Sequence, residues 1–169
     1  MATEIERKFL VVGDQWRKES GTRISQGYLG SAEGQEVRVR LTGTQAFLTV
    51  KGLPRGGVRK EYEYEIPSRD GAEMLKMCLG FPVEKVRHVV FHDGMKWEVD
   101  EFIGENAGLV VAEVELDHEG QELNLPPWVG AEVTEDTRFY NANLASTPFC
   151  QWRDRADGAS DRVRRPGGT

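Results

Sequence analysis

The chain alternates more than it coils. From Thr3 to Val11, Ile5, Phe9 and Val11 fall on one side and Glu4, Glu6 and Lys8 on the other, the period of two that marks a half-buried strand. The same alternation predicts strands over Arg23–Leu29, Glu36–Thr42, Gln45–Lys51, residues 58–66, Val83–Phe91, Met95–Phe102 and Leu109–Leu116. Gly43-Thr44 and His92-Asp93-Gly94 read as turns, and the Gly/Pro-rich residues 52–57 as a longer connection. Ser68 reads as the N-cap of a helix over Arg69–Leu79, with Gly80 as its stop. A Pro126-Pro127 break precedes a second helical segment, about Asp136 to Ala145.

The polar sides of these strands carry full charges rather than the mixed Thr, Ser, Gln and Lys of a face that meets water. Lys8, Arg38, Arg40, Lys51, Lys85 and Arg87 are the cations; Glu4, Glu6, Glu61, Glu63, Glu98, Asp100, Glu113 and Glu115 are the anions. The opposite sides are apolar enough to pack against helices and outer structure. A closed or nearly closed eight-stranded antiparallel barrel, mainly β with a few outer helices and charged within, uses both facts and has room for one small ligand. Unpaired charges in such a lumen are costly to desolvate. So many guanidinium and ammonium groups select a polyanion rich in oxygens, which means phosphates. Carboxylates clustered without histidine or cysteine suit a hard cation, Mg2+ or Mn2+. A polyphosphate chelating a divalent metal satisfies both. The competing interpretation is a solvated face crossed by surface ion pairs, and one such strand alone would mean nothing.

Composition narrows this further. The 169 residues suit a single domain. A formal net charge of −6 makes a general nucleic-acid binder a poor candidate. Residues 151–169 carry five arginines against three aspartates and little apolar character, the pattern of a disordered tail, and residues 1–150 then form the folded domain. Cys78 and Cys150 stand alone, so neither a zinc site nor a disulfide framework is supported. The N-terminus is charged from residue 4, unlike a signal peptide, and no stretch approaches the roughly 18 apolar residues of a membrane helix. These features predict a cytoplasmic protein with no membrane partner.

The opening Glu4-Ile5-Glu6-Arg7-Lys8 is an ExExK signature, and the chain resembles the CYTH family, the triphosphate tunnel metalloenzymes. The resemblance continues through Arg38-x-Arg40, Thr49-Val50-Lys51, Glu61-x-Glu63, Val83-Glu84-Lys85-x-Arg87, Glu98-x-Asp100, Glu113-x-Glu115 and Glu132-Val133-Thr134-Glu135-Asp136-x-Arg138, then Asn141 and Leu144. It implies an eight-stranded tunnel barrel and hydrolysis of a triphosphate, most like short bacterial inorganic triphosphatases. Other members act on nucleoside or thiamine triphosphates or on RNA ends, or are class IV adenylate cyclases.

By this resemblance Lys8, Arg38, Arg40, Lys51, Lys85 and Arg87 grip phosphate oxygens. Glu4, Glu6, Glu113 and Glu115 hold the Mg2+ or Mn2+, and Glu61, Glu63 and Asp100 help through water or a second metal. Lys8, Tyr28 and Lys85 are the catalytic candidates, Tyr28 pairing with Lys8 to position the nucleophile or leaving group. The implied partner is a small polyphosphate, inorganic triphosphate or a nucleotide; a homodimer stays open. A binding module that sequesters polyphosphate without turnover is the alternative of another class, but it gains nothing from carboxylates that repel its ligand.

Other motifs fall away. His88 and His92 lie four apart on a strand, so they read as surface or satisfied histidines rather than a zinc pair. The loop at residues 52–57 lacks P-loop spacing, although Arg55 and Arg59 could close over a tunnel mouth. Nothing argues for acyl chemistry.

Overall fold

A computed structural model describes residues 5–17, 20–32, 34–53 and 60–152. The expectations for Glu4, for Arg55 and Arg59 and for a tail at residues 153–169 fall outside them.

Nine strands form one antiparallel sheet: β1 (Ile5–Val11), β2 (Thr22–Ala32), β3 (Gln35–Thr42), β4 (Gln45–Lys51), β5 (Glu61–Ile66), β6 (Leu79–His92), β7 (Met95–Ile103), β8 (Val110–Leu116) and β9 (Val129–Glu132). The spatial order is β5-β4-β3-β2-β6-β7-β8-β1-β9. All eight expected strands are present. The mainly β tunnel fold holds in its nearly closed form, with nine strands rather than eight: β9 extends the sheet beyond β1, and β5 and β9 remain its two edges. The sheet nevertheless curls around a cavity lined from both halves.

Inward-facing residues change character along the strands. Arg87 and Lys85 give way to Val83 on β6, Glu98 and Asp100 to Phe102 on β7, and Glu113 to Val111 on β8. Val83, Phe102 and Val111 pack with Tyr28, Phe139, Leu144 and Ala145 in one core cluster. Apolar packing therefore fills one end of the curl and leaves the charges to the rest. A second cluster covers the outer face of β1, β6, β7 and β8, where Phe9, Trp97, Val99, Ala112 and Val114 meet Trp16 and Trp128.

Helix α1 (Ser68–Leu75) lies over the outer face of β2–β4. It begins one residue early, with Pro67 in the cap position and no side-chain cap, and ends four residues short of the expected Leu79. Its last turn tightens through Met77 N–H donating to the Met74 carbonyl at 3.0 Å, and Leu79 and Gly80 then join β6. Gly80 is no helix stop. Its φ of +69° lies in the left-handed region, and a Cβ there would run into the Ala145 carbonyl oxygen.

The helix expected from Asp136 is divided. Asp136 accepts from the Arg138 N–H at 3.1 Å and caps a 3-10 turn over Thr137–Phe139. Tyr140 is extended, and α2 (Asn141–Ser146) follows. Residues 151 and 152, expected to belong to a disordered tail, instead end a 3-10 turn over Phe149–Trp152, and Trp152 packs against Phe139 and Phe149 with centroids 5.2 and 5.3 Å away. No helix among the described residues is long and apolar enough to cross a membrane.

Candidate active site

Strand register assembles the site. On one wall Lys8 of β1 stands opposite Glu113 of β8, which stands opposite Glu98 of β7; Arg87 of β6 stands opposite Asp100 of β7. The Lys8 ammonium lies 3.0 Å from both Glu6 and Glu113. Burial works against that charge, but the two carboxylates outweigh it and raise the Lys8 pKa. Arg87 donates from Nε to Asp100 Oδ1 at 2.7 Å and from Nη2 to Asp100 Oδ2 at 2.8 Å, while Nη1 reaches Glu98 at 2.5 Å.

Lys85, fully enclosed, donates to Asp100 Oδ2 at 2.5 Å and to Asn141 Oδ1 at 3.4 Å. Desolvation dominates there and lowers the Lys85 pKa despite the aspartate beside it. Asp100 is itself buried, which alone would raise its pKa, but Lys85 and Arg87 hold it below the ordinary carboxylate value.

The facing wall comes from β2–β5. Thr49 accepts from Arg38 Nη2 at 3.2 Å and donates to Glu63 Oε2 at 2.9 Å. Lys51 lies 3.5 Å from Glu61. Arg40 Nε donates to Gln26 Oε1 at 3.3 Å. Burial, then Arg38 and Arg87, lower the Arg40 pKa. Arg38 is 9% exposed, and its buried Nε has no partner among the described residues.

The two walls enclose a cavity of about 1020 Å³. All six expected cations line it, as do Tyr28, Glu6, Glu61, Glu63, Glu113 and Glu115. Asp100 does not. It lies beneath the wall with both oxygens occupied by Lys85 and Arg87, so it organises cations rather than offering a metal free oxygens. Tyr28 pairs through its hydroxyl with Gln26, while the Lys8 neighbours are Glu6, Glu113 and the Tyr140 ring.

The histidine reading needs correction. His88 is neither on the surface nor satisfied: it is buried edge-on against Trp16, and neither ring nitrogen has a hydrogen-bond partner among the described residues. Sequence reasoning named Thr49 and Asn141 among the family motifs without giving them a role and missed Gln26 altogether; all three hold site residues in place. Gln26 shares its strand face with Tyr28, and that spacing of two was its available signal.

The donor set fits a hard cation chemically. Glu6 stands directly opposite Glu115, a juxtaposition of like charge that destabilises a sheet unless a cation lies between them, whereas the facing Glu98 and Glu113 already share Arg87. Glu6 and Glu113 share the Lys8 ammonium; Glu115 has no ion-pair partner among the described residues. No three metal-binding side chains among the described residues are already gathered into a closed site.

A curled antiparallel sheet holding cationic and acidic residues around one cavity defines a tunnel-type fold. The chain belongs to the CYTH domain family, whose model matches residues 2–145. It is 44% identical over 156 residues to an inorganic triphosphatase of Acetivibrio thermocellus, covering 91% of this chain and all of that protein. It is 39% identical over 148 residues to one of Nitrosomonas europaea, covering 85% and 97%. A crystal structure of an inorganic triphosphatase superposes with a TM-score of 0.69 at 37% identity, covering 86% of this chain and 95% of that one.

Proposed function

We propose that the cavity binds inorganic triphosphate and hydrolyses it to pyrophosphate and phosphate with the help of Mg2+ or Mn2+. The observation that carries this reading is the convergence of Lys8, Arg38, Arg40, Lys51, Lys85 and Arg87 on one cavity, with Arg38 Nε buried and without a hydrogen-bond partner among the described residues. Such a donor is costly to bury unless a ligand oxygen accepts from it. Triphosphate offers many oxygens to donors fixed in advance, so little reorganisation accompanies binding. The names of the two close relatives point the same way.

Lys85 and Arg87 neutralise charge as the bridging P–O bond breaks and water forms the new P–O bond at the terminal phosphorus. Tyr28 remains protonated, because burial, chiefly, pushes its pKa up to about 12. Glu6, Glu113 and Glu115, joined by Glu4, would hold the metal, with Glu61 and Glu63 on the facing wall. When bound, it would polarise phosphoryl oxygens and neutralise charge.

A nucleoside would need an aromatic surface. Of the cavity rings, Tyr28 is buried, and Tyr140 faces the Lys8 ammonium at 5.5 Å and donates its hydroxyl to the Thr134 carbonyl. The test is phosphate release from inorganic triphosphate, ATP and thiamine triphosphate with Mg2+, Mn2+ or EDTA. Metal-dependent release from inorganic triphosphate above the other two is expected. Preferential turnover of ATP would overturn the substrate, and tight triphosphate binding without turnover would overturn the enzyme.

A further inference from the structure

Gln26 is fully buried on β2, behind the cavity wall, and touches two site residues. Its Oε1 accepts from Arg40 Nε at 3.3 Å, and its Nε2 lies 3.2 Å from the Tyr28 hydroxyl. The orientation of the amide follows from chemistry. A guanidinium only donates, so the amide oxygen must face Arg40, and the NH2 must then face Tyr28. An amide NH2 cannot accept. The Tyr28 oxygen is therefore the acceptor in that contact, and its one proton is not used there.

We propose that Gln26 is a positioning residue that turns the Tyr28 O–H into the cavity as a fixed donor to a triphosphate oxygen while holding Arg40 beside it. This rests on the triphosphatase reading of the site. The device explains a neutral amide among charges. A glutamate at this position would hold Arg40 equally well, but its carboxylate would accept the Tyr28 proton and turn it away from the ligand. Leucine or methionine would release both groups. Of these four side chains, the amide alone accepts from the arginine and donates to the phenol.

The test is a double-mutant cycle of Gln26→Glu and Tyr28→Phe on the full chain, read as kcat and KM for inorganic triphosphate. Gln26→Glu should lower kcat by about 10–100-fold, the order of losing one preorganised donor, with a smaller change in KM. In the Tyr28→Phe background the same substitution should cost less than about threefold, because no phenol proton remains to be misdirected. An equal loss in both backgrounds, or no loss in either, would overturn the proposal. If the glutamate variant does not fold, Gln26→Met takes its place: it also releases Arg40, so a loss remains in the Tyr28→Phe background, and the proposal requires that loss to be smaller than the loss in the wild-type background. If the wild type binds inorganic triphosphate without hydrolysing it, the functional reading fails separately. The cycle is then read in calorimetric affinity, where coupling between Gln26 and Tyr28 supports the positioning role and additivity overturns it.

Discussion

Lys85 and Asp100 share a hydrogen bond of 2.5 Å on neighbouring strands, with side chains only 2% and 1% exposed. The aspartate also takes two bonds from Arg87, so one carboxylate fixes the two cations of β6 at the cavity. Burying these charges is tolerable only while all three remain together.

Removing the anion should therefore cost more than removing the group. Asp100→Ala is expected to destabilise the fold by about 3–5 kcal/mol, because it strands a buried ammonium. Pairing Asp100→Leu with Lys85→Met should recover most of that stability while abolishing turnover. Urea unfolding of the wild type and these two variants checks both statements. The acid dependence has a definite sign. With its folded pKa held below the ordinary value of 3.8, Asp100 contributes fully above that pH and progressively less as the pH falls.

Turnover should fall on the alkaline side below the ordinary lysine value of 10.5, since burial makes Lys85 lose its proton early. Tyr28, with its pKa raised to about 12, should not cause that limb. Lys85→Arg should move the limb upward in a kcat/KM profile, and Tyr28→Phe should leave its position unchanged. A limb that moved with Tyr28 instead would reverse the assignment.

Arg7 clasps Glu132 with Nε–Oε1 and Nη2–Oε2 contacts of 2.8 and 2.6 Å, tying β1 to β9. The pair is exposed enough that Glu132→Gln should cost less than about 1 kcal/mol. Hydrogen bonding by Arg7, chiefly, lowers the Glu132 pKa from 4.5 to about 2. The difference between wild type and variant should thus be complete above pH 4.5 and fade toward pH 2. Thermal unfolding at several pH values and low salt measures it.

Gly80→Ala should destabilise by about 1–3 kcal/mol, because the site requires positive φ and an added Cβ meets backbone rather than a yielding side chain. The substitution presses on Ala145 of α2, the helix that begins with the Lys85 partner Asn141. Loss of thermal stability should come with loss of activity. A Gly80→Ala protein as stable as wild type would contradict the close approach.

Much of this was legible as alternation. The run from Glu36 to Lys51 shows both β3 and β4 because Val37, Val39 and Leu41 alternate with Glu36, Arg38 and Arg40 and the turn into the next extended run is short. Strand β9 was hidden, since four residues hold too little pattern and their pairing with Phe9 and Val11 is made across more than a hundred positions. The division at Tyr140 was equally hidden: the extended backbone there falls inside a run read as one helix, and no Gly or Pro marks the break. Asp100 looked like Glu98, two residues away on the same face. Depth along the curl separates them, and strand periodicity carries no depth. Gln26 was passed over because an uncharged amide looks unremarkable until its partners are known.

The sheet order also sets the order in which the site can be made. Among the described residues, the strand partners of residues 5–11 lie in residues 110–116 and 129–132. During synthesis β1 must wait, unpaired, while β2 to β7 emerge and pair among themselves. Closing so long a loop is entropically slow, so the N-terminal strand should dock late in folding. Lys8 and Glu6 reach the cavity only at that step, and until then no nascent chain has a complete site.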